Sequence, residues 1–88
     1  MNTFKTTSGQ DFTVDYASAL PTGYGHKKIT VQVIDENGNS KDFSATTSNM
    51  PNYDEATNLE GQEKYEALFE IIEHQVEDEI SEWIQENN

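Results

Sequence analysis

Apolar and polar residues alternate along residues 4–7 and again along residues 11–16. A period of two is typical of β-strands with one buried face. A three-residue loop with Gly9 in the left-handed conformation pairs Phe4 with Phe12 and keeps both apolar sets on one face, whereas a two-residue loop turns one set over. The pattern therefore predicts a hairpin. The residues expected on its apolar face are Phe4, Thr6, Phe12, Val14 and Tyr16.

The same alternation recurs over residues 29–46. A three-residue loop at residues 36–38 places Val31 opposite Phe43, whereas a two-residue turn places apolar residues opposite polar ones, so the longer loop is favoured. Two hairpins within residues 1–47 predict a four-stranded antiparallel sheet. Its second face is polar enough to lie against water.

Two segments without periodicity are predicted to be connectors. Residues 18–28 contain one proline and two glycines, which indicate a loop between the two hairpins. Residues 48–58 lead from the sheet to the C-terminal segment. Thr57 or Asn58 is the candidate N-cap of the helix that follows.

From residue 59 to residue 87 the apolar period changes to three and four, which predicts an amphipathic helix. Its apolar stripe consists of Tyr65, Leu68, Phe69, Ile72, Val76, Ile80, Trp83 and Ile84. Glu60 and Glu63 are expected in its first turn. At about 1.5 Å per residue the helix is roughly 40 Å long, so its C-terminal end is expected to project beyond the sheet or to bind a partner. The chain is thus predicted to be one α+β domain, residues 1–88, with the helix packed on one face of the sheet.

Charge is distributed very unevenly along this chain, whose formal net charge is -12. Residues 1–53 hold five acids and four lysines, net -1, whereas residues 54–88 hold twelve acids and one lysine, net -11. Such a field repels nucleic acid and anionic lipid, so we expect no direct nucleic-acid or membrane binding, and a basic surface as the partner. Cysteine is absent, and no apolar run is long enough for a signal peptide or a membrane span, so a cytoplasmic protein is expected.

The acids of the predicted helix form a continuous row beside its apolar stripe. Five of them recur at spacings of three and four, and four successive like-charge contacts at ~0.2–0.5 kcal/mol each cost roughly 1–2 kcal/mol. Either the row is a solvated surface that serves solubility, or it is a binding surface. The candidate partner-binding residues are Glu63, Glu66, Glu70, Glu73, Glu77, Asp78, Glu79 and Glu82.

The chain resembles a class of known proteins in its general design. The shared features are small size, absence of cysteine, a pI near 4.2 and the acidic helix. The chain is similar to the small acidic inhibitors of phages and mobile elements, namely anti-CRISPR and anti-restriction proteins of the DNA-mimic type. The acids that carry the resemblance are Glu66, Glu70, Glu73, Glu77, Asp78, Glu79, Glu82 and Glu86. The resemblance implies a non-enzymatic inhibitor in the cytoplasm of a bacterial host. Its carboxylates would press against the basic nucleic-acid-binding groove of a defence nucleoprotein.

Two aromatic residues are candidates for a second contact. Tyr24 lies in the only locally basic stretch, residues 23–28, which is either a mobile loop or an additional contact with Tyr24 as its anchor. Trp83 is expected to pack in the core. If the helix end projects, however, Ile80, Trp83 and Ile84 form an exposed apolar patch. The alternative function is therefore an adaptor or homodimerising module whose acids serve solubility.

Enzyme and metal signatures are weak, and neither a cofactor nor a metal is predicted. His74 lies one turn from Glu70 and Asp78, but one histidine with carboxylates on a single helix is a poor ligand set. Residues 35–39 resemble the start of a calcium loop but place glycine fourth instead of sixth. Nothing sets a nucleophile beside either histidine, so the protein is expected not to be an enzyme.

Overall fold

The computed structural model describes residues 2–87 and has the predicted α+β architecture. Its elements are β1 (Phe4–Lys5), β2 (Asp11–Gly23), β3 (His26–Asp35), β4 (Ser40–Thr47), α1 (Met50–Thr57) and α2 (Gly61–Glu86). The four strands form one antiparallel sheet in the order β1-β2-β3-β4, and the long helix α2 packs against one face of it. The predicted fold class is confirmed.

The strand registers predicted from the alternating pattern are also confirmed. Phe4 pairs with Phe12 across the first hairpin, and Val31 pairs with Phe43 across the last one. Gly9 and Gly38 adopt φ values of 83° and 85°, which is the left-handed conformation that each three-residue loop requires. A shift of the pairing by one residue would turn the apolar side chains of one strand towards the solvent, so burial on one face specifies the register.

The segment 18–28 was expected to be a loop, and this expectation is wrong. β2 and β3 continue through it as one long hairpin that closes with a two-residue turn at Tyr24 and Gly25. Both residues have positive φ, 54° and 78°, as the tight turn of a right-twisted hairpin demands. Pro21 is tolerated because only β3 pairs with this part of β2, which leaves its other edge without a strand.

Tyr16 was expected on the apolar face, and this placement is also wrong. A β-bulge interrupts the register between Val14 and Tyr16, so that Asp15 is the extra residue and Ala17 takes the next buried position. The Tyr16 ring is half exposed and lies 5.2 Å from the ring of Tyr65 on α2. One inserted residue has thus reversed the alternation that the sequence pattern predicted.

The connector 48–58 contains the helix α1, which the sequence analysis did not predict. Pro51 lies at its start, where a missing N–H costs nothing. α1 packs against α2 and buries Ala56, and it partly covers Ala67 and Ile71, which lie off the main apolar stripe. The N-cap of α2 is accordingly Glu60 and neither Thr57 nor Asn58, although Glu63 does lie in the first turn.

The C-terminal end of α2 does not project from the sheet. Ile80, Trp83 and Ile84 are buried, and the Trp83 ring lies 5.8 Å from that of Phe43 on β4. The last turns of the helix lie against the β1–β2 loop, which accepts a hydrogen bond from Gln85, and the molecule measures 39 Å in its longest dimension. Trp83 therefore packs in the core as expected, and the exposed apolar patch that a projecting helix end would have formed is absent from residues 2–87.

Candidate functional site

The solvent-facing side of α2 carries eight of the seventeen acids of the protein. Glu63, Glu70, Asp78, Glu79, Glu82 and Glu86 are exposed, and Glu73 and Glu77 are partly buried. Within residues 2–87 the one ion pair joins Lys5 to Asp11, at the far edge of the sheet. Within the same range the acids of α2 have no ion-pair partner. These eight carboxylates of α2 form what we call the acidic face.

Glu66 is not part of the acidic face, contrary to the sequence-based expectation. It is only 8% exposed, and its carboxylate accepts hydrogen bonds from the backbone N–H of Asn2 (2.8 Å), from the Asn2 side-chain amide (2.8 Å) and from Gln62 (2.9 Å). Burial alone raises the pKa of Glu66, but the hydrogen bonds from Gln62 and Asn2 outweigh burial, so the pKa is lowered. This carboxylate is charged, but a partner cannot reach it.

Gln62 also positions the start of α2 against the sheet. Its side-chain amide donates to the Val14 carbonyl as well as to Glu66. The Val14 carbonyl lies next to the bulge in β2, where no strand pairs on that edge. The bulge, the N-terminal segment and the first turns of α2 are thus linked through one side chain.

Helix α1 adds carboxylates that sequence reasoning missed. Asp54 and Glu55 are exposed, and Glu55 lines a groove of about 280 Å³ between the helices together with Glu70. The apolar residues that line this groove include Ala67 and Ile71. The sequence does contain a pattern compatible with this short helix, since Pro51 is followed by two acids and an alanine.

The opposite flank of α2 faces the edge strand β4. Glu79, Glu82 and Glu86 line a depression that also contains Lys41 and Phe43. The Lys41 ammonium lies 5.5 Å from the Phe43 ring centroid and forms no ion pair with these acids within the described chain. The carboxylates on this flank remain available to another cation.

The two aromatic candidates occupy opposite environments. Tyr24 is fully exposed at the tip of the β2–β3 hairpin, beside Lys27 and Lys28 on β3. Trp83 is buried against Phe43, so it belongs to the core and not to an accessible contact. The accessible candidates are therefore the acidic face and the hairpin tip.

The structure brings no metal-binding cluster together among residues 2–87. No set of three histidine or carboxylate side chains has a geometry that could hold a metal ion in this part of the chain. His74 is exposed on the acidic face. No helix in the described range is long and apolar enough to cross a membrane.

Fold and surface together define a small α+β domain whose main exposed feature is an acidic helical face. Comparison with protein-family models, curated proteins and solved structures finds no match for this chain.

Proposed function

We propose that the protein is a non-enzymatic inhibitor that occupies a basic nucleic-acid-binding surface of a larger nucleoprotein through its acidic face. The protein would thus be an inhibitor of the anti-CRISPR or anti-restriction kind, and its proposed target is a bacterial defence nucleoprotein. The contact residues are Glu63, Glu70, Glu73, Glu77, Asp78, Glu79 and Glu82, without Glu66.

The observation that carries this proposal is the row of accessible carboxylates without cations. Glu63 and Glu77 are 14 residues apart, about 21 Å along the helix, and Asp54 and Glu55 of α1 widen the surface. Phosphates follow one another at about 3.4 Å per DNA strand, so a groove lined with Lys and Arg for phosphates also suits a dense carboxylate row. Charge complementarity of this kind accelerates association at low salt.

The alternative function was self-association through an exposed apolar helix end. The residues proposed for that contact are buried. Ile80, Trp83 and Ile84 are no more than 8% exposed. Substituting them would unfold the core instead of testing a contact. No observation favours an adaptor role based on that patch.

The proposal is tested by affinity capture from bacterial lysate, with competition by duplex DNA. We expect capture of a DNA- or RNA-handling complex, displacement by DNA, and loss of capture with the variant Glu70→Gln/Glu77→Gln. Both substitutions keep the side-chain shape and leave the core intact.

The matched control is Glu36→Gln/Asp42→Asn, which removes the same charge from exposed positions in the last hairpin. If both double variants lose capture equally, net charge alone matters and the acidic face is not the contact. Capture that DNA does not displace would also contradict the proposal.

A further inference from the structure

The tip of the β2–β3 hairpin holds a tyrosine in a conformation that its surroundings do not explain. Among residues 2–87, Tyr24 is the one non-glycine residue with a positive φ, 54°, and it lies between Gly23 and Gly25. Its side chain is fully exposed, so no packing offsets the strain of this conformation. Strained residues of this kind are concentrated at binding sites, which makes the tip a candidate contact.

The outer face of the sheet beside this tip carries no acid. Ile29 and Val31 are buried beneath the helices, so the alternate residues of β3 point to the opposite face. In the next row away from the tip, Asp42 pairs with Gln32, and the acid-free surface ends there. We call Tyr24 and the two cross-strand rows nearest to it the outer hairpin surface. The rows are Leu20, Lys28 and Thr46, followed by Ser18, Thr30 and Ser44.

The groups of this surface are those that hold a nucleic-acid backbone. Lysine ammonium groups and serine and threonine hydroxyls donate hydrogen bonds to phosphate oxygens. Lys28 is exposed and forms no ion pair within the described chain. The hydroxyls of Thr30 and Ser44 lie 2.9 Å apart, and because one donates to the other, the second hydroxyl hydrogen remains free for a ligand. The exposed ring of Tyr24 can stack on an unpaired base.

Charge is segregated so that an anion can approach this side of the molecule. The net charge of -12 predicts repulsion of nucleic acid by the chain as a whole, but residues 16–34 contain no acid and two lysines. Lys27 lies on the helix side, 5.5 Å from the ring of Tyr53, whereas Lys28 points outwards. The acidic face lies beyond a helix layer about 10 Å thick. Since the Debye length at 0.15 M salt is about 8 Å, that layer screens the outer hairpin surface from the acids.

We propose that the outer hairpin surface binds a single strand of nucleic acid, with a base stacked on Tyr24 and the adjoining phosphates on Lys28 and the neighbouring hydroxyls. A duplex is disfavoured because its bases are already paired and stacked. The inference goes beyond the proposed function, since this surface lies on the other side of the sheet from the acidic face and needs no target protein. Failure of either proposal therefore leaves the other standing.

The first test is an NMR titration of the isotope-labelled natural chain with oligothymidylate and, separately, with oligouridylate, each of about eight nucleotides, at about 0.15 M NaCl. We expect amide shifts in residues 18–30 and 44–46 and none in α2. The tighter of the two ligands distinguishes a DNA strand from an RNA strand. Absence of shifts at millimolar oligonucleotide, or shifts centred on α2, would overturn the proposal.

Substitution of Tyr24 gives a variant whose loss of binding cannot be ascribed to unfolding. Tyr24→Asn relieves the backbone strain, so it stays folded, and we expect it to bind the oligonucleotide at least about fivefold more weakly, whereas Tyr24→Trp retains stacking and binding. Unchanged affinity of Tyr24→Asn would overturn the proposal.

Substitution of Lys28 tests the phosphate contact. Lys28→Gln should weaken binding and reduce the slope of log K against log salt by about 0.7, the value for one phosphate contact on a single strand. Lys41→Gln makes the same charge change at an exposed position near the other end of β4 and should change neither quantity. Equal effects of the two substitutions would contradict the assigned contact.

An acidic peptide separates nucleic-acid binding from attraction of any anion. An oligoglutamate of about the same charge as the oligonucleotide offers no base to Tyr24, so we expect at least about fivefold weaker binding. Equal affinity for the peptide would overturn the proposal and assign the surface to an acidic protein.

Discussion

Glu66 joins the N-terminal segment to the long helix. Its carboxylate accepts hydrogen bonds from Asn2 and Gln62, and residue 2 is 64 positions away in the chain. Sequence periodicity places this residue in the acidic row because it is three or four positions away from the neighbouring acids and therefore lies on the same side of the helix. Its partners come from the other end of the chain, and no helical pattern contains that information.

We predict that Glu66→Ala lowers the free energy of unfolding by about 1–3 kcal/mol, because it removes a nearly buried charged acceptor from three donors. Chemical denaturation measures the effect. The control is Glu63→Ala, an exposed acid of the same helix, which should change stability by less than about 0.5 kcal/mol. Equal effects of the two substitutions would contradict a structural role for Glu66.

The same residue makes part of the stability depend on pH. Because the pKa of Glu66 is lowered from its ordinary value of 4.5, its contribution is fully present above that pH and is lost as the pH falls through the lower folded-state pKa. The stability gap between the natural chain and Glu66→Gln should therefore narrow on acidification. A gap that is independent of pH would show that the charge is irrelevant.

At the scale of elements, the β2–β3 turn combines tight geometry with an unusual residue. Tyr24 has φ 54° and makes no contact that offsets this conformation, since it is fully exposed. We predict that Tyr24→Asn stabilises the protein by about 0.5–1 kcal/mol, because asparagine tolerates the left-handed region better.

Gly25→Ala should have the opposite effect in the same denaturation measurement. Gly25 has φ 78°, and a side chain there meets no atom within 4 Å, so any loss of stability reports backbone strain and not a clash. A destabilised Tyr24→Asn variant would mean that the Tyr24 side chain contributes to folding.

Helix α1 is held to α2 mainly through Ala56, which is 2% exposed. We predict that Ala56→Asp costs roughly 2 kcal/mol or more because it buries an unpaired carboxylate. Asn52→Asp makes the same charge change at an exposed position of α1 and should be nearly neutral. Hydrogen exchange of the α1 amides should increase with Ala56→Asp only, and equal exchange in both variants would contradict the packing.

Several elements could be predicted from the sequence because burial on one face specifies them. The register of Phe4 with Phe12 and of Val31 with Phe43 follows from alternation, and the apolar stripe of α2 follows from its period. The bulge at Asp15 and the turn at Tyr24 could not be predicted. No residue type in the sequence marks the bulge, which inserts one extra residue into the strand. The turn has a tyrosine at a position where asparagine or glycine is usual.

The sequence predicted that the exposed side of the long helix is acidic, but it did not predict which carboxylates are accessible on the protein surface. Helical spacing identified the acids of α2 that are exposed, and it also included the buried Glu66. Asp54 and Glu55 were missed because α1 is only eight residues long and its apolar pattern is too short to show a period. Tertiary contacts therefore decide which carboxylates a partner can reach.

At the scale of the whole molecule, charge is segregated along an elongated body of 39 × 23 × 18 Å. Residues 16–34 carry +2, so the remainder of the -12 chain carries -14. The repulsion within that remainder is a stability cost that salt screens. A basic partner would replace this repulsion with attraction, which is the central claim of the proposed function.

The most direct test is the salt dependence of the dissociation constant for the captured complex. We predict that binding weakens steeply as NaCl rises, and that Glu70→Gln/Glu77→Gln weakens binding by at least about tenfold, or ~1.4 kcal/mol, and flattens the salt dependence. The control Glu36→Gln/Asp42→Asn should retain both the affinity and the slope. If the two double variants bind equally well, with the same slope, the acidic face is a solvated surface and the account is contradicted.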